Sequence, residues 1–142
     1  MFKKILVCCD GSKGAKCAAE TALILAAEQD AFLEVLSVVE PLPSYVATPE
    51  EIAAECDYDC QCLHAKQEMI AARAHEMGVE IMTEVLTGRA PEVIMRTARD
   101  GAFDLLVLGQ HCGTPLWITQ AANTDAKVME HPPCAVMIVP LN

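Results

Sequence analysis

The sequence predicts an α/β fold, a doubly wound, five-stranded parallel sheet with helices on both faces in a Rossmann-like three-layer sandwich. Three observations carry this. Short apolar runs alternate with longer segments of helical period along the chain. The runs are apolar on both strand faces, as strands covered on two sides require. No series of hairpin-type turns joins them, so the connections read as helical crossovers.

The elements follow in order. Ile5-Leu6-Val7-Cys8-Cys9 is a buried strand ended by the turn Asp10-Gly11-Ser12, and Ser12 is suited to cap the next helix. From about Ala15 to Gln29 that helix is Ala-rich, with Ala18, Ala22, Leu25 and Ala26 on one face for close packing on a sheet. A second strand runs from Phe32 to Val39 and stops at Glu40-Pro41-Leu42-Pro43. Ser44 to about Glu51 reads as a loop whose Thr48-Pro49-Glu50-Glu51 supplies an N-cap, a first-turn proline and acids for the helix dipole. The long helix that follows reaches about Met77, with Gly78 as its stop. Cys56, Cys60, Leu63, Gln67, Ile70, Ala74 and Met77 form one stripe along it. Val79 to Leu86 is a third strand, Thr87 to Pro91 a turn, and Glu92 to about Asp100 a short helix. Leu105 to Leu108 is a fourth strand ending at Gly109, Asn123 to His131 a last helix, and Ala135 to Val139 a fifth strand closed by Pro140.

Composition bounds the function. The 142 residues are one domain's length, 1–142, and are 53% apolar, enough to close a core without disulfides or metal. Ten Lys and Arg against twenty Asp and Glu give a net charge of −10, whose field repels nucleic acid and anionic membrane surfaces. The apolar stretches fall short of the ~18 residues of a membrane span. The first residues carry no secretory signal pattern, so the eight cysteines are expected to stay reduced in a cytoplasm rather than form a disulfide framework.

In a doubly wound sheet, ligands sit beyond the carboxyl ends of strands where the chain order reverses. That rule selects Asp10, the stretch Val38, Val39 and Glu40, and the loop after Gly109. At these positions the sequence resembles the universal stress protein family. The resemblance rests on Ile5 to Ser12, Gly88 to Ile94, Asp104 to Gly109 and His131 to Pro140, in order and spaced across nearly the whole chain. It implies an adenine-nucleotide-hydrolase-like five-stranded domain that often dimerises through its last strand, here Ala135 to Val139, and that binds ATP in some members.

ATP-binding members carry a motif after the fourth strand: Gly, two residues, Gly, nine residues, then Gly and Ser or Thr. Glycines there let backbone amides approach phosphate oxygens. This chain has Gly109, then Cys112, Ala122 and Asn123 at the other three places, so one of four matches. A Cβ at Cys112 costs about 1–2 kcal/mol if the loop needs a left-handed residue there. Gly113 could supply a shifted loop, the Asn123 amide can still donate, and His111 either contacts a phosphate or is merely exposed. Pro115-Leu116-Trp117 adds bulk. The phosphate side is altered, while Asp10 and the end of the second strand, which resemble the adenosine side, are retained. Asp10 can also form a simple Asx turn, a role compatible with ligand contact.

No catalytic residue is assigned: no P-loop is present, and no third group orients a His111–Cys112 pair. Three readings stand. One is a homodimeric regulatory or binding protein that requires no cofactor and holds ATP weakly. Another is an ATP- or AMP-binding, nucleotide-switched regulator with slow hydrolysis. The last is a thiol or metal sensor, for which Cys56, Cys60 and His64 step by four within an arc of about 80°, with Cys62 pointing elsewhere. Against the last, the stripe already assigns Cys56 and Cys60 to packing, and Asp57 and Asp59 raise the pKa of nearby thiols. Cys8, Cys9, Cys17 and Cys134 read as small core residues.

Overall fold

The computed structural model describes residues 1–110 and 124–141. Among these residues five strands and four helices alternate: β1 (Lys4–Cys8), α1 (Lys13–Gln29), β2 (Phe32–Val39), α2 (Pro49–Glu76), β3 (Ile81–Thr87), α3 (Ala90–Asp100), β4 (Leu105–Gly109), α4 (Thr124–Glu130) and β5 (Ala135–Val139). They build one sheet in the order β3-β2-β1-β4-β5, every pair parallel. The chain first winds outward from β1 to β3, then returns to place β4 on the other side of β1. The order therefore reverses between β1 and β4.

Side-chain alternation sorts the core into two layers. Ile5, Val7, Leu33, Val35, Leu105 and Val107 face α1 and α2, where Ala18, Ala22, Leu23, Ala26 and Ala74 cover them. Leu6, Leu36, Leu106 and Leu108 face the other way, under Val93, Ile94 and Ala98 of α3 and Val128 of α4. Helices thus cover both faces, as the unbroken apolar strands require. On α1 the expected face is buried at Ala18, Ala22 and Ala26, Leu25 packs half-buried against the same core, and Leu23 joins them.

The caps lie where side-chain chemistry puts them. Ser12 accepts from the Ala15 amide and Thr48 from the Glu51 amide, each at 3.1 Å. Of the boundaries that differ from expectation, two have a local reason in the hydrogen bonds. The Val79 amide turns back to the Ala74 carbonyl at 2.9 Å to finish α2, which delays β3 to Ile81. Helix α3 starts at Ala90 because the Glu40 carboxylate, at the end of β2, accepts that amide at 2.9 Å. An acid at a helix start also meets the positive end of its dipole. No helix among the described residues is long and apolar enough to cross a membrane.

Candidate functional site

The carboxyl ends of β2, β1 and β4 lie side by side at one end of the sheet. Beyond β1, the Asp10 carboxylate accepts the Ser12 amide at 2.9 Å, an Asx turn that hands the chain to the α1 cap. Gly11 has φ +84°, a conformation that disfavours any side chain. The Asx reading of Asp10 is therefore realised, in a half-buried position at the strand end.

A polar relay that the sequence reading missed fixes this turn from behind. Gln67 of α2, 1% exposed, donates through Nε2 to Ser37 Oγ at 2.9 Å and to the Glu84 carbonyl at 2.8 Å. Ser37 in turn donates to the Cys9 carbonyl at 2.6 Å. The relay ties β1, β2, β3 and α2 together one residue before Asp10. Its signal in the sequence was a glutamine within an otherwise apolar stripe, since a buried amide needs partners.

Beside the turn, a groove of about 410 Å³ runs between α1 and α2. Cys9, Ala19, Leu23 and Ile70 give it an apolar lining, and Lys13, Lys16, Lys66 and Arg73 give it positive charge. Lys66 Nζ donates to the Gly11 carbonyl at 3.1 Å, and Arg73 lies 3.6 Å from Glu20. In a chain of net charge −10, this basic surface is a local reversal of sign.

At the end of β4 the structure gives Gly109 a specific role. A Cβ there would press on the backbone carbonyl of Gly14 and lie 2.8 Å from the Ala15 nitrogen. A Cβ on Gly14 would likewise lie 2.8 Å from the Gln110 carbonyl oxygen. The glycine of β4 thus allows α1 to sit directly on the strand, with or without a ligand. At the end of β2, Val38 packs against the core layer under α3, and Val39 is 4% exposed with its carbonyl accepting the Gly88 amide at 3.0 Å. Asp10, Val38, Val39 and Gly109 are therefore gathered at one end of the sheet, but the two valine side chains are largely spoken for by the core. His111, Cys112, Gly113 and Asn123 lie outside the described residues.

The cysteine readings separate by position. Cys8 and Cys9 are buried. Burial, then the Asp10 charge, pushes the Cys8 thiol far up. Burial raises Cys9 as well, against a Gly11 backbone hydrogen bond that lowers it. On α2, Cys56 and Cys60 are half-buried, Cys62 and His64 exposed. The Cys60 thiol is raised by desolvation first, then by Cys56, Asp57 and Asp59. Among the described residues no three His, Cys, Asp or Glu side chains are grouped to hold a metal ion. A raised thiol pKa means less of the reactive thiolate at neutral pH.

Residues 1–140 match the sequence profile of the Universal stress protein family. A universal stress protein of Thermus aquaticus is 30% identical over 141 residues, covering 98% of this chain and 99% of that protein. A solved structure of a universal stress protein family member from Burkholderia pseudomallei superposes with a TM-score of 0.79 at 25% identity, covering 98% of this chain and 96% of that one. The same fold, at 22% identity, a TM-score of 0.69 and coverage of 99% and 92%, occurs in an Arabidopsis thaliana family protein solved with AMP bound. Another universal stress protein, at 21% identity, was solved in complex with cAMP.

Proposed function

The chain belongs to the universal stress protein family, and we propose that within it the chain is a regulatory binding protein rather than an enzyme, with no tight hold on ATP. One observation carries this reading: Gly109, the single matched motif glycine, has its small size taken up by the backbone of α1. The other three motif places hold Cys112, Ala122 and Asn123. A triphosphate track built on close backbone approach therefore has little support, whereas the Asp10-Gly11-Ser12 turn remains in place.

A nucleotide with one phosphate asks less of such a site. The AMP- and cAMP-bound relatives favour this second reading, in which an adenine nucleotide occupies the end of the sheet beside Asp10. Lys13, Lys16 and Lys66 then supply the positive field that the altered glycine loop does not. The protein works without a required cofactor, in a cytoplasm, a setting that the seven free cysteines among the described residues support. It is a homodimer through β5, an edge strand whose Val136, Met137, Ile138 and Val139 are only half-buried.

Thermal melts with and without nucleotide test the ligand reading. Saturation at a hundredfold the Kd would stabilise by about 2.7 kcal/mol, an upward shift of roughly 9 °C at this length. Millimolar Mg-ATP is expected to shift the melt by much less than that, and by an amount close to the shift with AMP. The full shift with ATP alone contradicts the proposal. Light scattering tests the dimer, with twice the 15.3 kDa chain mass expected and the monomer mass expected for Ala135→Lys on the exposed start of β5.

A further inference from the structure

A second cavity lies on the opposite face of the sheet from the basic groove. It is an open depression of about 770 Å³ that follows β2 and β3 beside α3. Glu34, Glu80, Glu84 and Asp100 line it, against Lys4 and Arg96. Four carboxylates thus face two cations. Phe32, Met82, Leu86 and Phe103 supply apolar surface between the charges.

Glu34 is the informative member. It sits in the middle of β2, in register with Met82 of β3, and is 5% exposed. Its Oε2 is buried with no hydrogen-bond partner. An isolated buried carboxylate is costly unless a cation or donors meet it. The neighbouring cation is engaged elsewhere: the Lys4 ammonium donates to the Gly101 carbonyl and stands 4.7 Å from the centre of the Phe103 ring. The two ion pairs among the described residues, Arg73 with Glu20 and Arg89 with Glu92, involve none of the cavity's acids. Burial first, then Glu84, raises the Glu34 pKa, with Lys4 acting in the opposite sense.

The acids do not form a metal site, because no three ligating side chains are grouped for an ion among the described residues. What remains is an open acidic depression with interleaved apolar side chains. That combination suits a chain of methylenes bearing ammonium groups, whose charged ends meet carboxylates while the carbons cover apolar surface. We propose that this cavity binds an organic polycation of the alkylpolyamine class, with one ammonium group seated on Glu34 and its aliphatic chain lying over Met82 and Leu86. Such a site is separate from the carboxyl-end site and does not depend on it.

The test is calorimetric titration of the full chain with spermidine in about 0.15 M salt, which suppresses diffuse attraction to an acidic surface. One saturable site is expected. Glu34→Gln, which keeps the shape, should weaken it at least tenfold, the range of a lost hydrogen bond to a charged group. Glu68→Gln, on the exposed side of α2, should leave it unchanged. If Glu34→Gln does not fold, Glu84→Gln takes its place with the same expectation. The proposal is overturned by the absence of saturable heat at millimolar spermidine, by equal weakening in the variants at positions 34 and 68, or by displacement with an equal concentration of Mg²⁺.

Discussion

Replacing Gly109 by alanine asks whether the end of β4 is shaped by helix packing or by a ligand. The added Cβ would lie 2.8 Å from the Ala15 nitrogen and against the Gly14 carbonyl, where nonpolar contacts normally settle at about 3.5–4.0 Å. The obstructing atoms are backbone, and Gly14, Ala15 and Gly109 are all buried. Relief therefore requires the start of α1 to lift off the sheet by about 1 Å rather than one side chain to rotate. Overpacking of this kind costs typically 1–3 kcal/mol, and a rigid obstacle places Gly109→Ala near the upper end, about 3 kcal/mol. At this chain length that is a drop of roughly 10 °C in Tm. Urea and thermal unfolding followed by circular dichroism, without nucleotide, measure it. A variant within about 0.5 kcal/mol of the parent protein refutes the packing explanation and returns Gly109 to a purely ligand-binding role.

Two further substitutions probe the buried polar groups. The raised Glu34 pKa means that the folded state favours the protonated acid, so its contribution to stability is fully present below the usual carboxylate range and is lost as pH rises through the raised value. The charges around it are Lys4 on β1, Glu80 and Glu84 flanking and within β3, and Arg96 and Asp100 on α3. Relative to the parent, Glu34→Gln should be more stable at pH 7.5 and no more stable near pH 4, and an equal offset at both pH values would contradict the sign. Gln67→Ala leaves Ser37 Oγ and the Glu84 carbonyl without their donor and opens space beneath α2, so it should cost about 2–3 kcal/mol in urea unfolding. A loss below about 0.5 kcal/mol would remove the relay from the account.

Most of the fold could be read from local pattern. Period, capping residues and the Pro and Gly stops identify the nine elements of the described residues, because Ser12, Thr48 and Pro49 act on their own neighbours in sequence. What stayed hidden depends on residues that meet only after folding. Glu40 extends α3 by capping Ala90 from the far end of another strand. Lys13 and Lys16 come from α1, Lys66 and Arg73 from α2, so no run of charge announces the basic groove. Glu34 lies in a strand otherwise read as buried, but its solitude is set by where Lys4 reaches. Gly109 was visible as a motif residue, yet its contact with Gly14 joins β4 to α1 across much of the chain. At the carboxyl end, the Asp10 turn is legible in Asp-Gly-Ser, whereas the core contact of Val38 and the burial of Val39 follow from strand register.

The proposed function requires that the phosphate side of this site not distinguish a triphosphate. Calorimetric titration of the same preparation with Mg-ATP and with AMP addresses it directly. If the loop needs a left-handed residue at the Cys112 position, its Cβ costs about 1–2 kcal/mol, or roughly five- to thirtyfold in affinity. Kd values for the two nucleotides within about tenfold of each other are expected. ATP bound a hundredfold more tightly than AMP would contradict the proposal.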